Sequence, residues 1–167
     1  QSDSELLVPM LDSSWGLWNL QRIRPDGFKL FGKGARTAGL FWHHGVNLSD
    51  GRVSASPIVL AEGYATAAAI HRSTGHGVAA AMSARNMGRV AIALRRSYPE
   101  RSFILAADDD CHLPENIGLE AARKAAESIG ALLAVPYCRS TQRRSGADFA
   151  DLSDNEVRQR IGEARHV

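Results

Sequence analysis

Phe103-Ile104-Leu105-Ala106-Ala107-Asp108-Asp109-Asp110 is five apolar residues running straight into three carboxylates. A short buried strand that ends this way delivers charge to one edge of a sheet. Side chains alternate along an extended segment, so Asp108 and Asp110 point the same way and Asp109 the other. Two hard oxygen ligands facing one space suit Mg²⁺. A structural turn needs one or two such residues; three in a row repel one another unless a cation or basic groups compensate. Asp109, facing away, is the member expected to tolerate substitution best.

Outward from that strand, strands and helices alternate. Pro57-Ile58-Val59-Leu60-Ala61 reads as a buried strand ending in Glu62-Gly63. The glycine lets the chain turn sharply into an Ala-rich helix from Tyr64 to Thr74, with Gly75 at its C-terminal cap. Gly77 to Met82 is a weak strand. Met87, Val90, Ala91 and Leu94 follow at helical spacing, with Pro99 beyond the end. Pro114 is placed to start the next helix, with Ile117, Ala121, Ala122, Ala125 and Ile129 as its apolar face and Gly130 as its stop. Ala131 to Val135 is a fourth strand and Arg139 to Gly146 a polar, basic loop. Ser153 with Glu156 is a capping box for a last helix carrying Val157, Ile161 and Ala164. Near-continuous apolar strands alternating with helices predict an α/β fold, a parallel sheet covered on both faces.

The residues before Ser54 read differently. Leu6 to Met10 is apolar, Trp15 to Ile23 partly alternates, and Phe28 to Phe31 forms a third short stretch. Asp12-Ser13-Ser14 and Pro25-Asp26-Gly27 are turn signals between them. Gly32 to Arg36 is a basic, glycine-bearing loop, and Gly39-Leu40-Phe41-Trp42 reads as a further strand. A small antiparallel β meander over residues 1–54 therefore precedes a domain over 55–167.

Composition excludes several classes. With 167 residues, 23% charged and 44% hydrophobic, the chain has the mix of a soluble globular domain with a real core. A net charge of +2 is too small to argue nucleic-acid binding by itself. Cys111 and Cys138 form no C-x-x-C pair, so neither a zinc signature nor a disulfide framework is expected, in keeping with a reducing compartment. No apolar run is long enough to span a membrane, and Gln1 to Glu5 is too polar for a signal peptide, which points to the cytoplasm. The chain does not begin with Met and is expected to be cut from a longer protein.

Ligands of open α/β sheets collect beyond the carboxyl ends of the strands. Glu62 and the aspartate triplet both end strands at that edge, and together could hold one or two divalent cations and organise phosphoryl transfer. From spacing alone, a helix-dipole or turn role for these carboxylates stands equally beside the metal site.

The strings LAEGYATAAAI, AMSARNM and FILAADDD with ENIGLEAARKAA resemble the Toprim domain of bacterial-type primases, topoisomerases, some nucleases and recombination proteins. That family carries a Glu after its first strand and an Asp-x-Asp after a later one, matched by Glu62, Asp108 and Asp110. A small residue and then Ala follow the Asp pair, matched by Gly118 with Ala121 or Ala122. The upstream stretch from Leu6 to Trp42, and Asp148-Phe149-Ala150-Asp151-Leu152, resemble primases of plasmids, phages and integrative or conjugative elements. The resemblance implies a Toprim (Rossmann-like) sheet and the catalytic core of a DNA primase, making RNA primers on single-stranded DNA for a mobile element. Asp108 and Asp110 would hold Mg²⁺, or Mn²⁺, against the triphosphate of an incoming ribonucleotide. Glu62 would help hold metal or take the proton from the attacking 3′-hydroxyl. Met82 and Arg85 depart from the family pattern and would alter the nucleotide pocket. A preceding zinc module and a helicase are absent from the chain; a helicase or other replication domains would be partners in the parent protein.

Template contacts need basic residues. Arg22, Arg24, Lys29, Lys33 and Arg36 interleave with Phe28, Phe31 and Trp42, as a single-strand track would, though an ordinary solvated face fits equally well. Arg85 joins that candidate set. Arg139, Arg143 and Arg144 read as a solvated loop. Asp148 and Asp151 are candidate secondary ligands, with capping before the last helix the favoured role. His43 and His44 point oppositely and cannot both chelate one ion. His112 reads as a surface loop residue and Cys111 as a small half-buried one. Other classes weigh less. A Toprim nuclease or topoisomerase fragment and a non-catalytic nucleic-acid-binding module keep the fold. A receiver or haloacid-dehalogenase type of phosphotransfer protein would need its acids early and a later Lys.

Overall fold

The computed structural model describes residues 4–46, 56–136, 138 and 146–167. β1 (Leu6–Leu11), β2 (Leu17–Ile23) and β3 (Lys29–Phe31) form an antiparallel meander. β4 (Trp42–His44), β5 (Ile58–Ala61), α1 (Tyr64–Thr74), β6 (Gly77–Ala80), α2 (Ala84–Ser97), β7 (Phe103–Ala106), α3 (Ile117–Ile129), β8 (Leu132–Ala134), α4 (Asp154–Gly162) and β9 (Arg165–His166) follow. A turn of 3₁₀ helix, Phe149–Asp151, precedes α4.

The second sheet has the order β4-β6-β5-β7-β8-β9. Its four central strands are parallel, as their unbroken apolar sequences predict, and every residue of β5, β6 and β7 is buried. Alternation sorts them between two cores. Ile58, Leu60, Phe103 and Leu105 meet α2 and α3 on one face, through Met87, Val90, Leu94, Ala122 and Ala125. Val59, Ala61, Ile104 and Ala106 meet α1 and α4 on the other, through Ala67, Ile70, Val157 and Ile161. Val8 and Met10 of β1 join the second core, so the meander is packed onto the sheet.

The sheet is not purely parallel. β4 and β9 pair antiparallel at its two edges. The strand expected at Gly39–Trp42 forms later and leaves the meander for β6; Phe41 keeps only a bridge to Leu11. α3 starts at Ile117, not Pro114. Asn116 caps it by accepting the Leu119 N–H, and an Asn cap satisfies a donor that Pro cannot. Ile117 is consequently outside the core and exposed. Gly63 caps α1 in an extended conformation that any residue could adopt. The Arg139 to Arg144 stretch lies outside the described residues.

One buried amide ties these pieces together. Asn86, in the first turn of α2, accepts from Gly39 N at 2.7 Å and donates to the Leu40 and Ala81 carbonyls at 2.8 Å. It thus fastens α2 to the end of β6 and to the segment arriving from the meander. Asn86→Ala leaves those buried groups unpaired and is expected to lower stability by about 2–4 kcal/mol. Urea denaturation should show a lower midpoint at unchanged slope.

Candidate functional site

β5 and β7 are hydrogen-bonded neighbours in register, Ala61 opposite Ala106. Glu62 and Asp108 therefore leave adjacent strands at the same sheet edge. The first turn of α2 meets Glu62 there, the Ala84 N–H donating to its carboxylate. The Met82 N–H donates to the Glu62 carbonyl at 2.8 Å. Asp110 is held from the start of α3, the Gly118 N–H donating to its Oδ2 at 2.9 Å. Helix N-termini thus face two of the three acids, where their dipoles favour negative charge.

The acids are crowded. Burial first, then the Glu62, Asp148 and Asp110 charges, push the Asp108 carboxyl up to about 7. Burial likewise raises Glu62, and Asp110 adds to it. Asp108 Oδ1 is buried and has no hydrogen-bond partner. A buried acceptor left unpaired among like charges is the signature of a place for a cation. Hard carboxylate oxygens suit Mg²⁺ or Mn²⁺, so the residues fit a divalent metal. Their oxygens are spread more widely than a closed chelate. Among the described residues, the one group of three ligand atoms all within 4.8 Å of one another belongs to Asp109, Cys111 and Cys138.

Three supporting residues complete the edge. A Cβ at Gly118 would lie 2.8 Å from the Asp108 carbonyl oxygen and 3.0 Å from Asp110 Oδ2, so only glycine admits α3 this close. Asn116 accepts from Asp110 N at 2.9 Å and donates to Asp109 Oδ1 at 2.7 Å, bracing the triplet from the helix cap. Asn before an apolar-periodic run was the available sequence signal, obscured by Pro114. Asp148 caps the 3₁₀ turn in a reciprocal box with Asp151, as favoured from sequence, and its charge also reaches Asp108.

The basic residues divide. The charge of Lys29 on β3 reaches the acids and opposes the upward shifts of Glu62, Asp108 and Asp148. Arg22 pairs with Glu5 at 2.7 Å, Arg24 with Asp26 at 3.6 Å, and Arg36 with Asp12 at 3.4 Å while lying over the Trp18 ring. Lys33 and Arg85 are exposed. His43 packs on Trp15 and His44 on His71, on opposite sides of β4 as alternation requires. His112 is exposed.

The cysteines correct the sequence reading. Cys111 is exposed, and it is joined to Cys138 in a disulfide across 27 residues of chain. Spacing could not reveal the pair, because the fold brings the end of the triplet beside the segment after β8.

A Toprim domain model matches residues 57–158. The chain is 37% identical over 127 residues to a DNA primase TraC of Escherichia coli, covering 74% of this chain and 9% of that protein. A second DNA primase TraC of Escherichia coli is 34% identical over 134 residues, covering 78% and 12%. The chain thus spans about a tenth of the length of these relatives. In fold, it is similar to the Aquifex aeolicus primase (zinc-binding and RNA polymerase domains), with a TM-score of 0.67 at 13% identity, covering 98% of this chain and 41% of that one. The primase fragment of the bacteriophage T7 primase-helicase protein gives 0.64 at 13% identity, covering 93% and 62%.

Two outcomes follow from the geometry. Between pH about 4 and about 7, the buried Asp108 keeps a proton that the unfolded chain, with the ordinary value of 3.8, releases. That stabilisation is complete below pH about 4 and is lost as pH rises through about 7. In chelator, wild-type protein should lose stability across this window and Asp108→Asn should lose less, as read by urea denaturation at each pH. Gly118→Ala should displace α3 from the acids and lower stability by about 1–3 kcal/mol, a shift visible by thermal denaturation.

Proposed function

This chain belongs to the Toprim domain family, and on that premise we propose that it is the Toprim catalytic core of a DNA primase. It would join ribonucleotides into RNA primers on single-stranded DNA. The observation that carries this reading is the convergence of Glu62, Asp108 and Asp110 on one sheet edge, with Asp108 Oδ1 buried and unpaired. Both Escherichia coli relatives are named DNA primase.

A divalent cation, Mg²⁺ or Mn²⁺, would offset phosphate charge and polarise the reacting oxygens when bound at this edge. Asp108 and Asp110 would hold it. Asp110 is already oriented by the Gly118 N–H, so little rearrangement accompanies binding. Glu62 has its carboxyl raised by burial and is fixed by the Ala84 N–H, which suits it to take the proton from the attacking 3′-hydroxyl. Lys29 carries positive charge to the same edge and would offset the ribonucleotide triphosphate as it approaches.

For the template, exposed Lys33 and Arg85 are the favoured contacts. Arg22, Arg24 and Arg36 would have to exchange Glu5, Asp26 and Asp12 for phosphate. One structural neighbour is a DnaG primase catalytic domain bound to single-stranded DNA, which supports that class of partner. We read residues 1–54 as a β-rich primase subdomain and 55–167 as the Toprim domain. A helicase or other replication domains in the parent protein, a mobile-element origin and a cytoplasmic setting complete the proposal. Among the described residues, no helix is long and apolar enough to cross a membrane.

The test is primer synthesis from ribonucleotides on single-stranded DNA with Mg²⁺, in the chain and in its parent protein. Glu62→Gln, Asp108→Asn and Asp110→Asn should each lower the rate on the order of a hundredfold or more. Lys29→Ala should chiefly raise the KM for ribonucleotide. Full activity in Asp108→Asn would overturn the site, and DNA cleavage in place of synthesis by the parent protein would overturn the reaction.

A further inference from the structure

Asp109, between the two aspartates of the acid edge, meets sulfur. Its carboxylate and the Sγ atoms of Cys111 and Cys138 lie within 4.8 Å of one another, with the two sulfurs joined as a disulfide. We propose that this disulfide is the oxidised form of a dithiol that, once reduced, binds one Zn²⁺ through Cys111, Cys138 and Asp109, with the fourth position left to solvent.

The carboxylate is held in place independently of the cysteines. The Asp109 backbone bonds Ala147 in both directions, at 2.8 and 2.9 Å, and Asn116 donates to Oδ1 at 2.7 Å. A ligand fixed by a neighbouring amide in this way has its orientation set before the ion arrives. The geometry also fits. Zn–S bonds of about 2.3 Å in a tetrahedron set the two sulfurs about 3.8 Å apart, and the Cys111 and Cys138 Cα atoms are 6.6 Å apart. Side-chain rotation can therefore open the sulfurs without moving the backbone. Cys111 is exposed and Cys138 half-buried, so thiol reductants and ions can reach the pair.

The chemistry balances with a small dithiol as reductant. Its thiolate attacks one sulfur, the Cys111–Cys138 bond breaks, and its second thiol resolves the mixed disulfide. Two electrons and two protons pass to the cysteines, and the reductant leaves as its own disulfide. Zn²⁺ then displaces the two thiol protons. Thiolates favour Zn²⁺, whereas the all-oxygen set of Glu62, Asp108 and Asp110 suits Mg²⁺, so a thiolate band reports the sulfur site alone. Since Asp109 lies between Asp108 and Asp110, the bound ion would anchor the segment that carries both. The inference does not depend on the primase reading.

The full chain, reduced with a phosphine and freed of metal, is titrated with Co²⁺ and with Zn²⁺ against a chromophoric chelator. Reduced wild type should bind one equivalent more than the disulfide form and show a thiolate-to-cobalt charge-transfer band that the disulfide form lacks. Cys111→Ser and Cys138→Ser should lose the band, and Asp109→Asn should weaken binding by about 10–100-fold. Asp108→Asn should leave the band unchanged, which separates this site from the acid edge. Absence of the band in reduced wild type with two titratable thiols would overturn the proposal. So would wild-type affinity in Cys111→Ser. If the serine variants fail to fold, the comparison of reduced with oxidised wild type decides, and equal zinc uptake by both overturns it.

Discussion

Repulsion among carboxylates is the constraint around which this fold is arranged. Glu62, Asp108, Asp110 and Asp148 converge where the parallel strands end, and burial makes ionising Glu62, Asp108 and Asp148 costly. An unsupported loop would relieve such crowding by splaying apart. Here three structural features oppose that: two neighbouring strands in fixed register, two helix N-termini aimed at the acids, and one lysine from the meander. The site is consequently a crowded set of acids held in place by strands and helices, a condition under which a cation gains by binding.

The frame in turn depends on close approach. Gly118 lets α3 touch the backbone of Asp108, and a run of alanines lets the same helix lie flat on the sheet. Asn86 performs the corresponding task for α2, joining helix, sheet and meander through buried hydrogen bonds. Small residues and buried amides thus set distances that large apolar side chains could only fill. The meander matters for a related reason: packed against the sheet through Val8 and Met10, it carries Lys29 to the acid edge.

Much of this was legible in the sequence, for reasons that differ by element. α1 is found residue for residue, because an Ala-rich run ending in Gly75 admits one reading, and Gly75 is indeed left-handed. What was hidden depends on contacts distant in the chain. β9 has two residues and no periodicity to detect. β4 has the composition of a meander strand, and only its partner β6 identifies it as a sheet edge. Pro114 outweighed Asn116 as a helix-start signal, although the Asn side chain makes the bonds. Arg22, Arg24, Lys29 and Arg36 look equivalent as basic residues; Glu5, Asp26 and Asp12 engage the three arginines, while the charge of Lys29 reaches the acids.

The antiparallel strands at the two edges of the sheet have a consequence for solubility. A parallel sheet that ended on β6 and β8 would present apolar rows of unpaired backbone groups to its surroundings. β4 and β9 cover those rows with strands of three and two residues, rich in His and Arg. Short polar strands at the lateral margins disfavour edge-to-edge pairing, while the acids gather at the strand ends, away from those margins.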